Sequence, residues 1–215
     1  MKEKLKIDIV SDVVCPWCTI GYKRLEKAIA ELGVEDQVAI EWHPFELNPD
    51  MPAEGQNVDE HITEKYGSTK EQQIASKQNM TDVGAALGFK FDYFDDMRMV
   101  NTFDAHVLLD YAKDFKKQTE LKMRLTTAFF SERKDVSKRE VLKQALLDVG
   151  LNAVEGLARL DNDEARYNVK SKEGYWKNLG INSVPTIVFD RKSAVTGAQP
   201  IETFKQVLSE LISKK

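Results

Sequence analysis

Both cysteines of this 215-residue chain fall in one tetrapeptide, Cys15-Pro16-Trp17-Cys18, at the end of an apolar run. The segment before it, Leu5-Lys6-Ile7-Asp8-Ile9-Val10, alternates and is rich in β-branched residues, the pattern of a strand. The segment after it, Pro16 to Leu32, reads as a helix closed by Gly33. A C-x-x-C at a strand-to-helix turn places a thiol at a helix N-terminus, where orphan N–H groups and the macrodipole favour thiolate. Pro16 suits the first helical turn, where no N–H is needed.

Two other uses of a cysteine pair fit less well. Structural zinc wants four ligands with a second close pair, and His43, His61 and His106 are scattered singly, so no metal site is expected. A permanent disulfide closing so short a loop constrains the unfolded chain little. A redox-active dithiol is the reading that uses both residues.

The rest of the composition bounds the partners. With 31 basic and 35 acidic residues the net charge is −4, and no basic block tracks phosphates, so nucleic acid is not an expected partner. Met1 to Lys6 runs into the first strand without an apolar leader, and no later segment is long and apolar enough to span a membrane, which predicts a cytoplasmic protein without membrane association. Reducing conditions there would let the dithiol cycle.

A second β-branched stretch, residues 37–45, follows the first helix and completes a β-α-β unit, which implies parallel strands. After a turn-rich connection from Asn48 to Asn57, residues 58 to 180 carry almost no strand signal. Helical signals follow one another instead, with capping boxes at Thr69/Gln72 and Ser137/Glu140, Asn152 in the same relation to Glu155, and stops at Gly67, Gly88, Gly150 and Gly180. One helix is expected to begin at Val100, with Val100, Phe103, Val107 and Tyr111 along one face. Strand character returns at Ser183–Asp190 and more weakly around Ala194–Thr196, before a last helix from Ile201 to Ile212. This is an α/β chain whose single sheet is interrupted by a helical insertion.

Several blocks stand in order along the chain: Ser11-Asp12-Val13-Val14-Cys15-Pro16-Trp17-Cys18-x-Ile20-Gly21, Trp42-x-Pro44-Phe45-Glu46-Leu47, Lys65-Tyr66-Gly67, Asn101 through His106, Gly180-Ile181, Val184-Pro185 and Gly197-Ala198-Gln199. Together they resemble the cytoplasmic thiol oxidoreductases of the DsbA family, in the FrnE-like subgroup of the thioredoxin superfamily. The resemblance implies a thioredoxin-like fold with a large all-helical insertion, residues 1–57 and 167–215 forming the thioredoxin-like part and 58–166 the insertion. Thr19, His43 and Ser183 depart from the family, which often has an aromatic, an arginine and a glycine there; these positions bear on substrate choice.

Cys15, in the exposed turn, is the expected nucleophile and Cys18, one turn inside the helix, the resolving thiol; no cofactor beyond their disulfide is called for, with glutathione a candidate co-substrate. Pro16 and Trp17 shape the loop. Val184-Pro185 reads from its residues alone as either a proline opening an edge strand or a cis bond beside the dithiol, and the resemblance implies the second. His106 lies on the polar flank of its helix, either facing solvent or the core edge, or facing the dithiol to tune it, with Asn101 its companion in the same block. The expected partners are cysteine-bearing proteins or small thiols and disulfides. Rival readings are a glutathione-dependent transferase or isomerase, of the kappa-class or 2-hydroxychromene-2-carboxylate isomerase type, and a non-catalytic chaperone or assembly factor; the first uses a serine where this chain has its cysteine pair, and the second leaves the cysteines unexplained.

Overall fold

The computed structural model describes residues 3–215. Strand β1 (Leu5–Ser11) leads through a four-residue turn into helix α1 (Pro16–Leu32), and β2 (Val38–Pro44) returns parallel to β1 with Leu5 opposite Val38 and Ser11 opposite Pro44. Near the C-terminus, β5 (Thr186–Phe189) and β6 (Ser193–Thr196) form a hairpin, and β5 pairs antiparallel with β1, Ile9 opposite Ile187. The sheet order is therefore β2-β1-β5-β6, with α9 (Ile201–Ser213) packed beside α1.

Alternation along these strands divides the core. Leu5, Ile7, Ile9, Ile187 and Phe189 join Leu25, Ala28, Phe204 and Leu208 beneath α1 and α9. Val10 and Val188 face the other way, against Trp176 of α8 (Asp163–Asn178). Each such aliphatic side chain contributes about 1.5–3 kcal/mol by leaving water, and this burial on both faces fixes the strand register.

Between β2 and α8 lie α2 (Val58–Tyr66), α3 (Lys70–Ala86), α4 (Phe103–Asp114), α5 (Gln118–Phe130), α6 (Arg139–Asp148) and α7 (Ala153–Leu160). Their core is continuous with the reactive turn, since Val13, Val14 and Ile20 belong to the same cluster as Leu108, Leu121, Leu125 and Phe129. Residue 166 lies within α8, which packs on β2.

Four local details differ from the sequence expectation. A two-residue ladder pairs β3 (Gln56–Asn57), at the end of the turn-rich connection, with β4 (Arg98–Met99), inside the stretch expected to lack strands; it is too short to leave a periodic signature. Helix α4 begins at Phe103 rather than Val100, because Asn101 Oδ1 accepts the Phe103 N–H at 3.0 Å in a local turn. The Thr69/Gln72 capping box forms, but the Ser137/Glu140 box does not: both the N–H and the Oγ of Ser137 donate to Asp135 Oδ1, and α6 starts at Arg139. The returning strand begins at Thr186, not Ser183, since Pro185 has no N–H to offer the ladder.

Candidate active site

Cys15 is the N-cap of α1. Its backbone is extended (φ −94°, ψ 111°), Pro16 opens the helix, and the Cys18 N–H donates to Cys15 Sγ at 3.3 Å. The sulfur thus takes the place a serine or aspartate oxygen holds at ordinary helix starts, sharing the Cys18 N–H with the Cys15 carbonyl, which accepts it at 3.1 Å, at the positive end of the helix. Cys15 is 4% exposed and Cys18 1%, so both thiols are buried and the turn is not the exposed one expected for Cys15, because the inserted helices pack on it through Val13 and Val14; Trp17, at 38%, rims it. Both cysteines are free thiols.

Burial pushes the Cys18 thiol well above its ordinary range, and the neighbouring Cys15 adds to this; the charge of Lys122 and the backbone N–H of Asp12 pull the other way. A thiol in this setting waits for a change at Cys15 before it ionises. Two tyrosines of the insertion, Tyr66 at the end of α2 and Tyr93 in the loop after α3, have hydroxyls raised by burial, with the charge of Cys15 adding to it.

The Val184–Pro185 bond is cis, and the proline ring packs on Gly21, one turn beyond Cys18. The carbonyl of Pro185 accepts the Gly197 N–H at 2.8 Å, which ties the Gly197-Ala198-Gln199 turn to this loop. Arg24 of α1 donates to the Ala198 carbonyl at 2.6 Å from the other side.

His106 is buried at the core edge, not in solvent. Its Nε2 lies 3.1 Å from the Phe45 carbonyl and 3.5 Å from Asp12 Oδ1. Since a carbonyl only accepts, Nε2 carries the proton, and the ring bridges the chain after β2 to the acid at the end of β1. Burial raises the Asp12 carboxyl, but His106, the Leu47 N–H on Oδ2 at 2.8 Å, and Lys122 more than offset it and hold the group below the usual carboxylate range. Asn101 does not meet the thiols: its Nδ2 donates to the Pro49 carbonyl at 3.2 Å and to Glu46 Oε2 at 3.5 Å, which fastens the 45–51 loop to the start of α4. Glu46 is itself pushed up to about 7 by burial, with the charges of Glu173 and Asp12 adding to it.

Lys122 and Asp12 went unremarked as site residues in the sequence. Lys122 follows Leu121 on α5 and reads as one more solvated lysine, yet it is 2% exposed, its Nζ makes no hydrogen bond, and it lies 5.2 Å from the centre of the Trp42 ring. The available signal was the i, i+4, i+8 row Gln118, Lys122 and Thr126, polar residues on a flank of the apolar stripe and all buried. His43 is buried beside Trp176 and bonded to Asp8 at 2.7 Å. Asp8, Glu41 and His43 are, among the described residues, the group with metal-ligand spacing, and Lys6, Lys113 and Arg191 already balance its charge.

The description DSBA-like thioredoxin domain matches residues 6–209 of the chain. In structure the chain is similar to the probable DsbA oxidoreductase SCO1869 of Streptomyces coelicolor, at 33% identity and a TM-score of 0.91 over 98% of this chain and 91% of that one. It is also similar to the cytosolic disulfide reductase DsbM of Pseudomonas aeruginosa, solved with GSH, at 15% identity and a TM-score of 0.67 over 97% of this chain and 99% of that one. A 2-hydroxychromene-2-carboxylate isomerase superposes comparably, at 11% identity and a TM-score of 0.70 over 97% of both chains. The last two similarities speak to fold alone, and they accommodate different chemistries on it.

Proposed function

We propose, from the premise that the chain belongs to the DSBA-like thioredoxin domain family, that it is a dithiol–disulfide oxidoreductase of the FrnE-like subgroup working through Cys15 and Cys18 in the cytoplasm. The observation that carries this reading is the cap itself: Cys15 Sγ receives the Cys18 N–H at the start of α1, while Cys18 is sealed below it. Cys15 attacks one sulfur of a substrate disulfide and releases the other as a thiol. Cys18 then attacks Cys15, the substrate leaves, and the Cys15–Cys18 disulfide remains. The reverse sequence oxidises a substrate dithiol, and the redox couple supplied decides the direction.

The substrate class is cysteine-bearing proteins or small disulfides, with glutathione as co-substrate, a choice supported by the reductase of like fold that was solved with GSH. Trp17, 38% exposed at the rim of the turn, offers the apolar flank of a peptide disulfide an aromatic surface. Residues 58–166 act as the unit that covers the dithiol, and the Val184–Pro185 loop as the surface along which an extended substrate lies. The isomerase reading rests on fold likeness only, and the cysteine pair speaks against it.

The deciding experiment follows reduction of a protein disulfide by the purified chain with glutathione as reductant. Turnover is expected in the native chain and loss to background in Cys15→Ser. Turnover that survives Cys15→Ser overturns the assignment.

A further inference from the structure

The row Gln118, Lys122 and Thr126 runs along α5 toward the dithiol, and each member is buried. Gln118 is fully used: its Oε1 accepts the Trp42 N–H at 2.8 Å and its Nε2 donates to the Trp42 carbonyl at 2.9 Å, which pins α5 to β2. Lys122, one turn on, is held over the Trp42 ring. Its Nζ and the Thr126 Oγ1 make no hydrogen bond, and neither does Asp12 Oδ1. A buried ammonium without a hydrogen-bonded partner costs several kcal/mol, so a chain retains one where its charge is used. Helix α5 packs against α1 beside the thiol turn, with Leu121 and Leu125 in one cluster with Val14 and Ile20. Burial lowers the Lys122 ammonium, and the charges of Cys18, Asp12 and Cys15 oppose that fall, in that order.

We propose that Lys122 is the positioning cation for the resolving step, supplying from the inserted helices the charge against which the buried Cys18 becomes a thiolate. This rests on the dithiol reading above and names the residue that lets the second half of the cycle proceed. In the mixed disulfide, Cys15 Sγ is bonded to a substrate sulfur. Cys18 loses its proton to solvent base, and the thiolate attacks Cys15 Sγ. The Cys15–Cys18 bond forms as the Cys15–substrate bond breaks, and the substrate departs as a thiolate that regains a proton. The enzyme is oxidised by two electrons and the substrate disulfide is reduced by two.

The charged groups acting on Cys18 are Cys15 from its own helix and Lys122 from α5, with the backbone N–H of Asp12 beside them; the Asp12 carboxylate, near His106 of α4, acts on Lys122. Of these, Lys122 is the side chain whose charge favours the Cys18 thiolate, opposing burial and Cys15.

The test uses the full reduced chain and an aromatic disulfide that releases a coloured thiolate at each step, so that adduct formation on Cys15 and resolution by Cys18 are timed separately across pH. In Lys122→Met, resolution is expected to slow about tenfold at neutral pH, with the midpoint of its pH profile moved up by about one unit. Adduct formation changes less than resolution. Lys122→Arg, which retains the charge, is expected to keep its midpoint near the native one, and Lys122→Gln replaces Lys122→Met if the latter does not fold. A native midpoint in the uncharged variant overturns the proposal, as does a midpoint in Lys122→Arg displaced as far as in Lys122→Met. A native chain that forms no adduct, or never resolves it, instead defeats the dithiol reading on which the proposal stands.

Discussion

Pro185 rests directly on Gly21: a methyl group at position 21 would come within 3.1 Å of the proline Cγ and 3.4 Å of the Ala198 Cα. The reactive helix and the returning loop therefore meet at a spot where α1 offers backbone alone, and the distance from loop to dithiol is set there.

Gly21→Ala would press on that contact. Overpacking of this kind costs about 1–3 kcal/mol, so the melting temperature should fall, and turnover should fall further than stability alone explains because the loop moves off the thiols. Parallel melting and steady-state measurements check it; an unchanged KM for a protein substrate would mean that the loop is not a substrate surface.

Trapping separates the two cysteines. Cys18→Ser should accumulate a mixed disulfide on Cys15, and Cys15→Ser should accumulate none, because Cys18 is 1% exposed and its thiol is pushed well up. Mass spectrometry of each variant after incubation with a glutathione-capped peptide reads the result, and equal adducts in both would reverse the roles.

His106→Ala should remove the Nε2–H that serves the Phe45 carbonyl and leave that buried acceptor unpaired, a loss of about 1–3 kcal/mol. The same change removes the group that does most to hold Asp12 below the carboxylate range. A depressed carboxyl adds stability that is present above its unfolded value and is lost as pH falls through the folded one. The native chain should therefore lose this contribution as pH falls below about 4, and His106→Ala should narrow the difference between neutral and acid stability; chemical denaturation at both pH values measures it.

Glu46 has the opposite sign. Its carboxyl is raised to about 7, so in the folded chain it stays protonated where the unfolded chain has already ionised, and stability falls as pH climbs from the ordinary glutamate range toward 7. Glu46→Gln should match the native chain near pH 4 and exceed it on the order of 2 kcal/mol at pH 8, after allowance for screening. Equal stabilities at both pH values would show that Glu46 ionises freely.

The reactive turn, the strand order at both ends of the chain and the helical nature of the middle were legible because they rest on local signals: a C-x-x-C between a β-branched run and a helix, and glycines past helix ends, such as Gly67 with φ 66° and Gly150 with φ 74°. What stayed hidden depends on which residues meet through space. Lys122 looks like any lysine on an amphipathic helix until α5 is docked on β2. Asp12 is one more polar residue in a turn until His106 arrives from α4 and Lys122 from α5. The Ser137/Glu140 pair had the right spacing for a cap and lost to Asp135, a nearer competitor that spacing rules ignore.

Val13, Val14 and Ile20 share one hydrophobic cluster with Leu108, Leu121 and Phe129. Assembly of the thiol turn and condensation of the inserted helices should therefore be coupled. Amide exchange at Cys18 and Thr19 should accordingly require the same opening as exchange in the middle of α5. Cutting out the insertion would expose the undersides of Val13, Val14 and Ile20 to water, and what remained would be an unfinished core in place of a smaller working oxidoreductase.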